Sequence, residues 1–563
     1  MADSADFFKL ITGKTEKEWT WVQDLNQTFE SYLKRIQTAD GTFSLGFSTT
    51  QGSQEISEGE RANHIHIIGA QGEGKSKFLE YIIRHDIERL VADERLIAQK
   101  KIKPQERRSC GVLVIDASAQ GDTNDKILNY CAQVGFNKVI IIDPYRIEKT
   151  GRIPPINPLF MPTRRLVESF RVLFDVKDAS KTSNIETYLR ALFNILKTAG
   201  MTLSDVFPFT FAPGKPGFDK YMPERDDILR KAMINAQNFH FMKRRVLEKN
   251  IDEVRYAYTN YNTWKSEIGS TVRRLNTIFQ TSVSANLYGH TEGLDFRTLV
   301  ADGWVVLVSA SDEVMDDLES RLLATLIINN AIFAIETIRR QGFDKPYHLF
   351  IDETGEYATA QIAKVLNLKR KIRLHMVLAH QYLGQLKDPL VRDAVENNTK
   401  IKAAFYIEHQ NERKSVIQML GYGGQLEDRD VAYNLRDIPK QEMVLKIGKT
   451  DPVVCKVYDT PDAPNNPEFV NNITSGINYV SLEEIEKDYG KRFNGQNSIR
   501  PKGTAKSKHG TPGKTDGSQK GHPPKDAEKD EGKKAGRSKT STRCEVAWDN
   551  LRVETDGGKD PKS

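Results

Sequence analysis

The chain is 563 residues long, 38% hydrophobic, and carries a formal charge of +6 at pH 7. That length suits two or three domains with sizeable cores. From Arg500 onward, 16 Lys/Arg stand against 10 Asp/Glu, so the body is near neutral and the tail supplies the excess. Cys110, Cys131, Cys455 and Cys544 lie far apart without a C-x-x-C pair, which excludes a thiol metal motif and reads as reduced thiols in a cytoplasmic protein. Met1 to Leu10 has no basic stretch followed by an apolar one, so no signal peptide is expected. The longest apolar-rich stretch, Leu322 to Ile335, includes Asn329 and Asn330 and is too short to span a bilayer.

Residues 1–60 read as a segment packing on the core: Trp19, Trp21, Val22, Phe29, Tyr32, Leu33 and Ile36 suggest an amphipathic helix, and Phe43, Leu45 and Phe47 a short strand. Residues 61–161 form the first half of a nucleotide-binding domain. An apolar strand, His64 to Ile68, runs into Gly69-Ala70-Gln71-Gly72-Glu73-Gly74-Lys75-Ser76-Lys77 and then a helix carrying Phe78, Leu79, Ile82 and Ile83. This is G-x-x-x-x-G-K-S in its required context of strand, loop and helix. Glycines let backbone N–H groups turn inward around a triphosphate at the positive end of a helix. Lys75 would reach the β- and γ-phosphates of ATP, and the Ser76 hydroxyl would ligate Mg²⁺. Gly111 to Asp116 and Val139 to Asp143 are continuous apolar runs ending in a carboxylate, which predicts buried parallel strands in βαβ units.

Residues 162–296 change to helical periodicity, with Leu166, Phe170, Leu173 and Phe174 as one face, Tyr188, Leu192, Ile195 and Leu196 as another, and Val272, Leu275, Ile278 and Phe279 as a third. An inserted all-α domain is predicted, broken by a turn-rich stretch from Pro208 to Pro223. Its second half interleaves Lys243, Arg244, Arg245, Arg255, Lys265, Arg273 and Arg274 with Phe239, Phe241, Tyr256, Tyr258, Tyr261 and Trp264. Two readings stay open: an ordinary bundle with aromatics inside, which is favoured, or a surface that grips a nucleic-acid backbone and stacks on bases.

Residues 297–460 return to apolar strands, at Trp304 to Val308, Tyr347 to Ile351, Leu374 to Leu378, Lys400 to Ile407 and Met443 to Ile447. Asp352 and Glu353 end one of them, where a doubly wound sheet presents ligand-facing residues. The Asp can hold Mg²⁺, the Glu can polarise an attacking water, and Gln381, closing the next strand, can sense the γ-phosphate. Residues 461–563 are expected to form a disordered basic tail. One island in it, Cys544 to Val553 with Trp548 and Leu551, reads either as a docking peptide or as chance apolar residues.

In order along the chain, Arg61-x-x-His64 to Gly69, Val114-Ile-Asp116 with Gly121-Asp122, Pro155-Ile-Asn157-Pro158-Leu159, Phe350-Ile-Asp352-Glu353, Lys369-Arg370-Lys371 leading to Leu378-Ala-His-Gln381, and Asn397-Asn398-x-Lys400 resemble the FtsK–HerA superfamily of hexameric P-loop motors. Within it the chain is similar to the TraD/TraG-like coupling proteins of conjugation and type IV secretion, over roughly residues 40–460. The resemblance implies an α/β fold: a RecA-like P-loop NTPase core with a doubly wound, mostly parallel sheet, the inserted all-α domain and the disordered tail. It implies a DNA-dependent ATPase with ATP and Mg²⁺, acting as a homo-hexamer on DNA, with a relaxase or secretion-channel components as partners. It assigns Lys75, Glu353 and Gln381 to catalysis, Ser76 and Asp352 to the metal, and Arg370 to an arginine finger reaching the neighbouring subunit, with Lys371 and Arg373 as competitors for that role. Two features depart from the group. Ala117-Ser-Ala-Gln120 precedes Gly121-Asp122, and no transmembrane segment is seen, so any membrane location would be peripheral, at the inner membrane through a partner. The alternatives to a translocase are a nucleotide-gated adaptor recruiting cargo through its tail and a HerA-like DNA repair translocase.

Overall fold

Strands that are apolar at every position need cover on both faces, and the central sheet of this chain receives it. The computed structural model describes residues 42–49, 51–116, 122–173, 179–310, 315–357, 360–368, 373–421 and 435–493. The predicted N-terminal helix around Trp19, Phe174, the Ala117 to Gly121 segment, Arg370 with Lys369 and Lys371, and the tail with Trp548 and Leu551 lie outside the described residues.

In chain order the main elements begin with β1 (Phe43–Ser48), β2 (Gly52–Ile56), α1 (Glu58–Arg61), β3 (Ile65–Ile68), α2 (Lys75–Ala98), β4 (Gly111–Asp116), α3 (Asp122–Val134), β5 (Val139–Ile142) and β6 (Arg152–Ile153). A helical stretch follows, with α4 (Thr163–Leu173), α5 (Ala179–Ala199), α6 (Phe218–Asn235), α7 (Phe241–Ala257) and α8 (Gly269–Phe279) as its longer members. The chain then returns to the sheet through β7 (Trp304–Ser309), α9 (Asp317–Arg340), β8 (Tyr347–Ile351), β9 (Leu374–His380), β10 (Ile401–Ala404), β11 (Glu442–Ile447) and β12 (Val453–Lys456). It ends with α10 (Pro467–Thr474), β13 (Val480–Ser481) and α11 (Leu482–Arg492).

The sheet has eleven strands in the order β2-β1-β12-β11-β10-β3-β9-β8-β4-β7-β5. The seven from β10 to β5 are parallel, and the four at the other edge pair antiparallel. Alternate residues divide between two cores, as the period of two in a strand requires. Val112, Val114, Val305, Leu307, Phe350 and Val377 face α2 and α3. Leu113, Ile115, Val306, Val308, Leu349 and Met376 face the opposite way, into a core shared with α4, α5, α8 and α9.

The predicted helical faces are buried at Leu166, Phe170, Tyr188, Leu192, Ile195, Leu196, Val272, Leu275, Ile278 and Phe279. Of the aromatics in the basic stretch, Tyr258 and Trp264 are buried, whereas Phe241 and Tyr256 stand mostly in solvent. The turn-rich break is shorter than expected, because α6 begins at Phe218 and runs through Pro223. Leu322 to Ile335 belongs to the 24-residue α9, long and apolar enough by itself to cross a membrane; 72% of that apolar window is buried inside the protein. It is a core helix, started by a reciprocal cap between Asp316 and Glu319 and tied to α4 through Asn329 and Ser169.

The boundary predicted at residue 461 requires correction, because residues 461–493 are folded. β13 pairs with β6. The Tyr479 hydroxyl accepts from the Ile141 backbone N–H at 2.8 Å, and Arg152 donates to the carbonyls of Thr474 and Tyr479. Arg492 pairs with buried Asp205 at 3.1 Å. Polar composition concealed a segment that packs through single aromatic and arginine anchors.

Under the α2 face, Arg61 and Asp86 form a two-pronged ion pair at 2.5 and 2.7 Å, both within 1% of complete burial. Removing one partner leaves the other charge buried without compensation. Arg61→Met is expected to lower stability by about 3–5 kcal/mol in urea titrations, and the double variant Arg61→Met/Asp86→Leu to regain most of that loss.

Candidate nucleotide site

The phosphate loop joins β3 to α2. Gly74, the residue before the helix, has φ 117° and offers no side-chain cap, and the first turn of α2 carries no acidic residue. The leading N–H groups are therefore left to an outside acceptor, and an anion there meets the positive end of a 24-residue helix. Gly69 is required by close approach: a Cβ at this position would lie 2.5 Å from Phe405 Cβ. The loop is clamped from the β10 side. Ala70 N–H donates to the Tyr406 carbonyl at 2.8 Å, and Gln441 N–H to the Glu73 carbonyl at 3.0 Å.

Lys75 is nearly buried and donates to the Ala70 carbonyl at 2.8 Å, so its ammonium folds back over the loop. Burial lowers its pKa, against the opposing pull of Glu353, Asp352 and Glu73. The Ser76 hydroxyl donates to Asp352 Oδ2 at 3.3 Å. Lys77 turns elsewhere: its ammonium holds the Thr460 carbonyl at 2.9 Å and Asp462 at 2.7 Å. Only its backbone belongs to the loop end of α2.

Asp352 follows β8 and is 4% exposed. Burial, then the carboxylates of Asp116 and Glu353, push its pKa up to about 7, with Lys75 opposing. Asp116, fully buried at the end of β4, was legible in the sequence only as a strand-ending carboxylate. Glu353 has φ 51°, a left-handed conformation uncommon for a residue with a Cβ and costly unless its surroundings enforce it. Its carboxylate accepts from Gln381 Nε2 at 2.8 Å and from Gln385 Nε2 at 3.5 Å.

Gln385 is a site residue that sequence reasoning missed. Its Oε1 also accepts from the Gln381 backbone N–H at 2.8 Å, so one amide fixes both the strand end and the carboxylate. Gly355 makes room for it, since a Cβ there would fall 2.4 Å from Gln385 Cβ. The available signal was the Gln381-x-x-x-Gln385 spacing just beyond an apolar strand. One face of the P-loop strand also meets β9 through buried histidines: His66 Nε2 and His380 Nε2 are 2.6 Å apart. The structure thus brings together Lys75, Ser76, Asp352, Glu353 and Gln381, while Arg370 lies outside the described residues.

No protein-family profile and no curated protein sequence matches the chain. Among solved structures, the unbound monoclinic form of the bacterial conjugative coupling protein TrwB is 13% identical with a TM-score of 0.49, over 78% of this chain and 94% of that one. VirB4 of Thermoanaerobacter pseudethanolicus is 15% identical with a TM-score of 0.45, over 76% of this chain and 98% of that one. TrwB in complex with ADP and Mg²⁺ is 13% identical with a TM-score of 0.47, over 77% and 93%. The chain resembles these proteins in its α/β architecture. At such identities and TM-scores the likeness carries no weight for chemistry, which rests on the side chains described above.

The raised pKa of Asp352 has a stability consequence. Unfolded, the carboxyl ionises near pH 4; folded, it keeps its proton to about 7. Between those values the native state holds a proton that the unfolded state has released, so this group's contribution falls as pH rises through the window. Asp352→Asn is expected to melt higher than the unaltered protein at pH 8 without Mg²⁺ or nucleotide, with the gap closing toward pH 4.

Proposed function

We propose that the chain is an ATP-driven DNA translocase of the conjugative coupling type, working as a ring of six and moving DNA or a relaxase–DNA complex toward a type IV secretion channel. The observation that carries the catalytic part is the meeting of Lys75, Ser76, Asp352, Glu353 and Gln381 beyond the carboxyl ends of β3, β8 and β9. Each strand end supplies one part of a phosphoryl-transfer site. The open amides of the loop and the Lys75 ammonium take the phosphates, and on ligand arrival Lys75 exchanges the Ala70 carbonyl for phosphate oxygens.

The residues fit Mg²⁺. A hydroxyl and a carboxylate, both hard oxygen donors, face each other at 3.3 Å, and Asp116, Asp352 and Glu353 outnumber the single lysine. Ser76 and Asp352 would hold the ion, which when bound neutralises charge developing on the phosphate oxygens. Glu353 accepts the proton of the attacking water, and Gln381, already bonded to that carboxylate, links its position to the γ-phosphate. Arg370 is proposed as the residue that reaches the next subunit's nucleotide, so that hydrolysis at one interface moves DNA at another. Support for the DNA partner is the exposed Phe241 and Tyr256 among the basic residues of α7.

The test is ATP hydrolysis by the purified protein with and without single- and double-stranded DNA. DNA is expected to stimulate hydrolysis, Lys75→Ala to abolish it, and Glu353→Gln to lower kcat by about 100-fold or more while nucleotide still binds. Full activity in Glu353→Gln would overturn the catalytic assignment, and hydrolysis indifferent to DNA would overturn the translocase. Gln385→Ala is expected to lower kcat by about tenfold with little change in KM, because it loosens Glu353 without touching the phosphate loop.

A further inference from the structure

A second polar cluster lies at the amino ends of β8 and β9, on the face covered by α2 and at the sheet edge away from the phosphate loop. His348 and His375 stand opposite each other in register, with ring centres 5.3 Å apart. Glu58, the first residue of α1, brings its carboxylate to both. Oε1 lies 3.1 Å from His348 Nε2 and 2.7 Å from His375 Nδ1. All three donor atoms fall within 4.8 Å of one another.

The contacts of His375 differ from those of a hydrogen-bonded imidazole. Neither ring nitrogen has a hydrogen-bond partner of acceptable geometry, although the residue is only 2% exposed. Its Nδ1 approaches Glu58 Oε1 at 2.7 Å, and its Nε2 has no hydrogen-bond partner. Around tetrahedral Zn²⁺ donor atoms sit about 3.3 Å apart, so a small opening of the 3.1 and 2.7 Å contacts makes room for an ion.

Charged groups also stand behind these side chains. His348 Nδ1 lies 3.3 Å from Asp86 Oδ2, close by but without hydrogen-bond geometry. Asp86 is in turn gripped by Arg61 at 2.5 and 2.7 Å. The second oxygen of Glu58 is held by Arg89. A carboxylate behind a ligating histidine and a donor on the free oxygen of a ligating carboxylate are the partners that orient metal ligands.

We propose that Glu58, His348 and His375 bind one divalent transition-metal ion of the zinc class, tying α1 to the amino ends of β8 and β9. Two imidazoles and a carboxylate suit Zn²⁺ or Co²⁺, whereas Mg²⁺ takes oxygen donors. Arg61 and Arg89 already balance Asp86 and Glu58, so the ion enters a locally neutral cluster and is held less tightly than at a thiolate site. The Glu58 side chain is 19% exposed and marks the access route. The far ends of the same strands carry Asp352-Glu353 and Gln381, so the role is bracing, distinct from the ion at the phosphate loop.

The experiment is a titration of chelator-treated full-length protein with Co²⁺, followed by the visible d–d bands of the bound ion, with Zn²⁺ calorimetry in parallel. One equivalent per chain is expected for the unaltered protein and for Asp352→Asn, which removes the other candidate ion site. His348→Ala and His375→Ala are expected to weaken binding by at least about tenfold. An unaltered chain that takes up no ion, or histidine variants that bind it equally well, overturns the proposal. Should the histidine variants fail to fold, Glu58→Gln at its partly exposed position decides: unchanged affinity there overturns the site, and a loss of about tenfold or more supports it.

Discussion

Parallel strands all end on one edge of a sheet, and this constraint organises the whole candidate site. β3, β4, β8 and β9 come from stretches far apart in the chain, yet the hydrogen-bond ladder forces their carboxyl ends side by side. Local sequence then decides what stands at each end: a phosphate loop after β3, Asp116 as the last residue of β4, Asp352-Glu353 after β8 and Gln381 after β9. Since both faces of these strands are buried, the terminal residues are the first positions at which polar groups meet a ligand. The cost is electrostatic. Asp116 and Glu353 crowd Asp352 with Lys75 in opposition, and Asp352 answers by holding its proton to about 7. A cation bound there would relieve that crowding, which is what the proposed Mg²⁺ and nucleotide would supply.

The other edge answers a different demand. Its polar groups are also buried, with Arg61 set against Asp86 and Arg89 against Glu58, while His348 and His375, between strands and helix, keep ring nitrogens without hydrogen-bond partners. α2 connects the two edges, because its first residues form the end of the phosphate loop and its middle carries Asp86 and Arg89. The helix that starts at the phosphate loop is therefore anchored near its middle by ion pairs under the sheet.

What was legible in the sequence follows from the range of the physics involved. The phosphate loop is local, since its glycines, lysine and serine act through their own backbone, and so spacing alone revealed it. Asp352, Glu353 and Gln381 were legible because each closes a run of apolar residues, and strand ends in an α/β chain carry ligands. Gln385, the Tyr406 and Gln441 clamp, and the register of His348 against His375 were not legible, because each depends on which strands become neighbours. Composition misled at residues 461–493, where a polar segment folds by placing Tyr479 and Arg492 into prepared contacts. Strand β12 was missed for a related reason: half of its residues face solvent, and its apolar pattern is only two residues deep.

The conformation of Glu353 joins these arguments. A left-handed residue at a strand end turns the chain sharply, which directs the carboxylate back across the edge toward Gln381 instead of along the line of β8. That geometry holds only while both amides grip the carboxylate and Gly355 leaves space for Gln385. The strain is thus maintained by neighbours whose own positions depend on β8 and β9 keeping register from one end to the other. A small shift between those two strands would separate Gln381 from Glu353 before it disturbed the buried core. The hydrogen bond between them therefore reports whether this edge of the candidate site is assembled.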